Sequence, residues 1–412
     1  MLAQSNVRTP NRIATEGDKY KYNYIINADV FGAFAQAQFK YNKVDFYLAG
    51  SFSNTSYQRD GKFRNGTFPE NSFGKGKKLS FTGFGVKGGV NYKITGKHLI
   101  DLNVAYVSRA PSLRNTYSNS RENHNVGSNI SEEKVFAAEG SYIFRSPIVK
   151  GRLTGYFTKI EDANEISFYF ADGIGAIVAS EESDFNERSN FIQEILKGID
   201  KKHYGVELGI EAQATPTIKL KAAASVGQYI YDNNPDLYVS ADEFTNVYLG
   251  KSALKNYKLA TGPQSAYSVG FEYRDPDYWW VGATVNYFDH TYVDISPLTR
   301  TANFYTDVDG QPFNDYDEDI ARKLLKQERF NDYFSVNLIG GKSWKIKDYF
   351  VGVFISINNL LDEVYKTGGF EQGRNANYRQ LRDDQALDIP VFGSKYWYGR
   401  GVTYFANIYF RF

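Results

Sequence analysis

Apolar and polar residues alternate at every second position through stretch after stretch of this chain, the period of a β-strand with one apolar face. Near the C-terminus Val402, Tyr404, Ala406, Ile408, Phe410 and Phe412 fall on one side. Gly401, Thr403, Phe405, Asn407, Tyr409 and Arg411 fall on the other. Tyr204, Val206, Leu208, Ile210 and Ala212 likewise oppose Gly205, Glu207, Gly209 and Glu211. Trp279, Val281, Ala283, Val285 and Tyr287 oppose Gly282, Thr284 and Asn286, and Ile218, Leu220, Ala222, Ala224 and Val226 oppose Lys219, Lys221 and Ser225. About thirteen strands are expected, near 27–41, 44–58, 79–94, 98–110, 132–146, 149–170, 190–214, 217–231, 263–275, 278–292, 331–345, 348–361 and 397–412. They run to 12 or more residues, against about 5–6 for a strand in a soluble protein.

The connections sort by length. Short turns fall at Asn42-Lys43, Thr95-Gly96, Ser146-Pro147, Pro216, Asp275-Pro276 and Lys347-Asp348. Long polar loops fall near 59–78, 111–131, 171–189, 232–262, 293–330 and 362–396. Tight turns on one side and long loops on the other are the habit of a transmembrane β-barrel, with periplasmic turns and extracellular loops. Tyr92, Tyr106, Tyr273, Trp279, Trp344, Tyr349, Phe410 and Phe412 lie near strand ends, where amphipathic rings would form interfacial girdles. The expected fold is therefore all-β, an antiparallel transmembrane barrel. Residues 1–26 read as an N-terminal polar segment or the end of an extracellular loop, and 27–412 as barrel.

Composition agrees by exclusion. The mean hydropathy of −0.48 reflects strands whose every second residue is polar, and no apolar run is long enough for a transmembrane helix. Lys and Arg total 48 and Asp and Glu 47, a net charge of +1, so no nucleic-acid partner is expected. Without cysteine there is no disulfide framework and no thiolate site. The first twenty residues lack a signal-peptide pattern. Since an outer-membrane protein is exported, mature numbering or truncation is expected.

Three motifs carry a family resemblance. Asn358-Asn359-Leu360-Leu361-Asp362-Glu363-Val364-Tyr365 resembles the N-N-L-L-D-x-x-Y segment of TonB-dependent receptors. Arg109-Ala110-Pro111-Ser112 resembles their R-A-P-S segment, and Tyr204-Gly205-Val206-Glu207 their Y-G-V-E strand. Phe412, with Phe410 two residues earlier, resembles the signal read by the outer-membrane assembly machinery. The run from Gly83 to Tyr92 is similar to receptors of Bacteroidetes-type bacteria.

The resemblance implies a receptor that takes up a scarce nutrient across the bacterial outer membrane. It implies a barrel of 22 strands, of which about thirteen are here and about nine (22 − 13) are not, and it implies a plug and a TonB box that this sequence lacks. Outer-membrane lipid and the assembly machinery are expected partners, TonB only through the missing N-terminal part, and a surface lipoprotein is a further candidate. The alternative is a passive porin-like or scaffold barrel of a surface complex. The first and last strands are expected to be open edges.

Candidate sites are few. Loop 111–131 offers Arg114, Tyr117, Arg121 and His124 as ligand-binding residues, with Arg109 at the end of the strand before it, because such side chains hydrogen-bond and stack. Asp307, Asp309 and Asp315 resemble a calcium loop of clustered carboxylates, although the glycine of an EF-hand is misplaced. Otherwise no cofactor is expected. Gly83-x-Gly85-x-x-Gly88 matches a dinucleotide fingerprint, but that needs a following helix, and alternation continues through Val90-Asn91-Tyr92. His98, His124, His203 and His290 are scattered, and Glu139, Glu207 and Glu211 read as polar lumen residues. No nucleophile–base pair points to an enzyme.

Overall fold

The computed structural model describes residues 6–127, 130–172, 189–241, 244–307, 310–373 and 376–412. Thirteen long strands form the wall: β1 (Tyr24–Lys40), β2 (Val44–Gly61), β3 (Leu79–Lys93), β4 (His98–Arg109), β5 (Glu133–Arg145), β6 (Val149–Asp172), β7 (Ser189–Gln213), β8 (Ile218–Tyr231), β9 (Ser265–Arg274), β10 (Trp279–Asp289), β11 (Tyr333–Ile346), β12 (Tyr349–Asn358) and β13 (Thr403–Arg411). Each pairs antiparallel with the next in an unbroken meander. All six short turns fall where the sequence puts them.

Among the described residues β1 pairs only with β2 and β13 only with β12, so the sheet does not close on itself. Both rows of edge backbone groups are therefore free to pair with further strands. Phe410 lies opposite Val351 on β12, and Phe412 projects past the last pair, 97% exposed.

The two faces differ in chemistry. Leu220, Val285 and Ile408 are 48%, 40% and 64% exposed, and Val281 is half-buried. The opposite face carries a hydrogen-bonded polar network. Tyr47 Oη donates to Asn103 Oδ1 at 3.1 Å, and Asn103 Nδ2 donates to Asp101 at 3.0 Å and Glu139 at 3.2 Å. Arg152 Nε donates to Ser141 Oγ at 3.1 Å, and Ser141 meets Thr154 at 2.8 Å. Gly83 sits within β3, as the alternation requires. A Cβ there would lie 2.5 Å from Ser53 Oγ and 2.7 Å from the Ser108 carbonyl, so the glycine permits close approach of neighbouring strands.

Strand ends shift in places. The last wall strand begins at Thr403, later than expected. Residues Lys395–Tyr398 instead pair with Lys366–Phe370 in a separate ribbon. β12 stops at Asn358 because Asn359 and Asp362 adopt left-handed backbone (φ 52° and 53°), which short polar side chains tolerate. Asn359 Nδ2 then donates to the Glu363 carbonyl at 2.9 Å, and Asp362 Oδ1 accepts from Val402 N at 2.8 Å. The motif read as N-N-L-L-D-x-x-Y is thus a pinned turn, and its Tyr365 stacks on Tyr333 with centroids 4.0 Å apart.

The buried apolar residues gather at the tips of the long strands and in the long loops. Residues Asp236–Ser240 pair with Val247–Lys251 and also extend the sheet beside β7. Leu237, Val239, Leu254, Ile192 and Ile199 form the centre of one cluster. Helices α1 (Glu318–Leu324) and α2 (Tyr378–Gln385) meet over a second, with Phe304, Phe313 and Tyr378 inside. Asp317 caps α1, and a reciprocal Asn377–Gln380 box caps α2. The long loops read as polar therefore contain a packed layer.

Candidate ligand-binding site in the loop layer

The strands β6 and β7 outrun their neighbours. β5 last pairs with β6 at Lys134↔Glu161, and β8 last pairs with β7 at Lys201↔Tyr231. Beyond, β6 and β7 stay paired through register shifts between Ile160 and Asn164, with left-handed backbone at Asp162 (φ 59°) and Gly198 (φ 65°). Such bulges re-aim side chains. Past them Glu165, Ser167, Glu194 and Leu196 line a cleft of about 300 Å³. Arg114 and Asn115 close one side, and Asp294 through Pro297 with Glu371 close another. The short helical turn that carries Arg114 is docked on β6, where Ile166 N donates to Asn115 Oδ1 at 3.4 Å.

Four carboxylates reach this lining. Glu165 is paired with Lys201, and Glu371 with Arg300. Glu194 accepts from Ser167 Oγ and Tyr169 Oη, each at 3.0 Å. Tyr231 is 6% exposed, and its hydroxyl makes no hydrogen bond among the described residues. A phenol is a protonated donor at neutral pH.

Arg300 organises the floor. Its Nη1 donates to Thr299 Oγ1 at 2.8 Å and the Ser296 carbonyl at 3.2 Å, and its Nη2 to the Leu325 carbonyl at 3.0 Å and Glu371 Oε1 at 2.8 Å. Its guanidinium lies 5.0 Å from the Tyr257 ring centroid.

Of the five ligand candidates, only Arg114 lines the cleft. Arg109 is paired with Glu133 at 3.0 Å. Tyr117 is 3% exposed, packed with Tyr57 and Phe81. His124 Nδ1 lies 3.0 Å from Nη1 of the buried Arg59, whose other bonds reach the Ser120 carbonyl at 2.7 Å and the Ser72 carbonyl at 2.9 Å. Burial first, then Arg59, pulls the His124 pKa down. Arg121 lies over the Tyr22 ring at 5.5 Å. Loop 111–131 is thus chiefly packing for the loop layer.

Of the calcium candidates, Asp309 lies outside the described residues. Asp307 Oδ1 accepts from Gln311 N at 2.9 Å. Asp315 is held by Arg379 and Arg382, each at 2.7 Å, and its hydrogen bonds to them lower its carboxyl to about 2. Among the described residues no group of three or more His, Cys, Asp or Glu is arranged to hold a metal.

Glu165, Glu194, Tyr231, Asp294, Arg300 and Glu371 were not singled out by sequence. They come from five chain segments, and no spacing rule links them.

The comparisons bear on the fold. The structure resembles the ferric-catecholate import receptor Fiu from K12 E. coli (TM-score 0.56, 12% identity, covering 97% of this chain and 47% of that one). It also resembles the copper transporter OprC (TM-score 0.59, 12% identity, 98% and 50%). A third likeness is to the ferric citrate transporter FecA in its unliganded form (TM-score 0.58, 8% identity, 97% and 48%). The chain spans about half the length of these solved structures. The comparison with curated proteins found no match. The family model described as TonB dependent receptor-like, beta-barrel, matches residues 3–360. A match over that much of the sequence settles the family: the chain belongs to the β-barrels of TonB-dependent receptors.

Proposed function

We propose that this chain is barrel wall and loop layer of an integral outer-membrane receptor that imports a nutrient. The observation that carries the reading is the division of labour in the fold. A wall with an exposed apolar face and a hydrogen-bonded polar face is topped by a packed loop layer containing a polar cleft. Lipid would cover the apolar face. Strands from elsewhere in the receptor would complete the two open edges. The nutrient would meet the loop layer first and then pass along the polar face.

Energy coupling by TonB would act through a part of the receptor outside this chain. The similar structures are those of a ferric-catecholate import receptor, a copper transporter and a ferric citrate transporter, which supports the transport reading without choosing the cargo. A surface lipoprotein seated on the loops, and the assembly machinery at Phe412, complete the proposed partners.

The test is nutrient-dependent growth and uptake by cells expressing the full-length receptor, with and without TonB. Uptake that vanishes without TonB supports an energised receptor. Uptake that is indifferent to TonB favours a passive barrel instead.

A further inference from the structure

We infer that the cleft between the β6–β7 tips and the loops carrying Arg114 and Glu371 is a binding site for a small, neutral, hydroxyl-rich ligand of the size of one sugar unit. The inference deepens the receptor reading and rests on it for its physiological meaning.

The argument starts from Tyr231. The Tyr231 side chain is 94% removed from solvent (6% exposed), yet its hydroxyl oxygen is not one of the buried unpartnered atoms, so the phenol keeps its solvent contact at the tip. Its hydroxyl has no hydrogen-bond partner among the described residues, and it sits where Glu165, Glu194 and Asp294 all act on it, at the wall of the cleft. It is a donor held out toward the space. Arg114, on the facing loop, has no ion pair among the described residues and supplies further donors.

The acceptors are the carboxylates. Two already carry cations, Lys201 on Glu165 and Arg300 on Glu371, and Glu194 already accepts two hydroxyls. Carboxylates have lone pairs beyond those used. Four carboxylates repel an anion, so an anionic metal chelate is disfavoured here. Arg114, Lys201 and Arg300 offset three of those four charges, which leaves little net charge to draw in a cation. What remains is a lining of alternating donors and acceptors, which groups that both donate and accept can satisfy together. Hydroxyls do both. About 300 Å³ is at the small end of ligand pockets.

The experiment uses the purified full-length receptor in detergent. Binding is measured by calorimetry against a panel of neutral mono- and disaccharides, with spermidine as the cationic probe and ferric citrate as the anionic one. At least one neutral sugar should bind saturably. Tyr231→Phe and Arg114→Gln should each weaken that sugar by about tenfold, while heat-modified gel mobility shows the barrel still folded. Tyr231→Phe removes a single oxygen, so a folding failure is not expected, and Arg114→Gln at an exposed position serves as the second variant.

Absence of binding by every sugar in the panel overturns the inference. So does sugar binding that both variants leave unchanged, or tight binding of spermidine or ferric citrate that Tyr231→Phe weakens. Sugar binding that the variants weaken, without TonB-dependent uptake of the sugar, upholds the site and counts against the receptor reading alone. TonB-dependent uptake of another nutrient with no sugar binding does the reverse.

Discussion

Arg300 donates to both carboxylate oxygens of Glu371, and that pair fastens the loop after β10 to the loop after β12. The guanidinium is almost wholly buried, so the pair is shielded from salt and water. It also sets the position of Glu371 on the cleft.

Removing one partner should leave a buried charge uncompensated, at a cost of about 3–5 kcal/mol. For Arg300→Ala in the full-length receptor, hydrogen exchange should accelerate in residues 293–304 and 366–371 and not in β3–β5. Unchanged protection in both loops would show that the pair does not hold them together.

Val285 is exposed on the apolar face. Val285→Arg should lower barrel stability by about 2–4 kcal/mol if the position lies near the bilayer midplane. Reversible urea unfolding in lipid vesicles reads this directly, and an effect below about 0.5 kcal/mol, the scale of ordinary surface substitutions, would place the residue off the lipid face.

Phe412 touches little, so its loss should alter delivery more than stability. Deleting it from the full-length receptor should reduce the amount inserted in the outer membrane. Equal surface levels with and without Phe412 would mean that the terminal aromatic is not read.

Acid should loosen loop 111–131. His124 is held neutral beside Arg59, with burial the larger cause and the charge of Asp60 opposing both. A histidine whose folded pKa lies below its unfolded value binds protons preferentially when unfolded. Its stabilising contribution is therefore full above about pH 6.5 and is lost as pH falls through the lower, folded value. Limited proteolysis within 111–131 should quicken between neutral pH and about pH 5, and His124→Gln should flatten that dependence. A cleavage rate independent of pH in the wild type contradicts the assignment.

The wall was legible in the sequence because each strand states its own two faces. Leu220 and Val285 announce an apolar side by alternation alone, and the short turns fix which strands are neighbours. The turn at Asn359 and Asp362 was not, since alternation carried that strand on to 361, whereas left-handed backbone at Asn359 ends β12 at Asn358. Nor was the loop layer. Its core joins Leu237 and Val239 to Ile192 and Leu254, short apolar runs that look like polar loop until distant segments pack on them. The cleft was harder still, because Glu165 and Glu194 are aimed by a bulge that no local spacing specifies. Arg114 was picked for its chemistry and does line the cleft. Tyr117 and His124 were picked for the same chemistry and are spent on packing around Arg59.

The chain contains no cysteine, so single cysteines can report which face of the wall meets lipid. The full-length receptor, with any cysteine elsewhere removed, would be placed in membranes with one of Leu220→Cys, Val285→Cys, Glu139→Cys or Glu207→Cys. Each would be exposed to a membrane-impermeant maleimide and to a lipid-dissolved one. The account predicts that positions 220 and 285 react only with the lipid-dissolved reagent, and that positions 139 and 207 react with the aqueous one. Aqueous labelling at 220 and 285 would contradict a membrane-spanning wall.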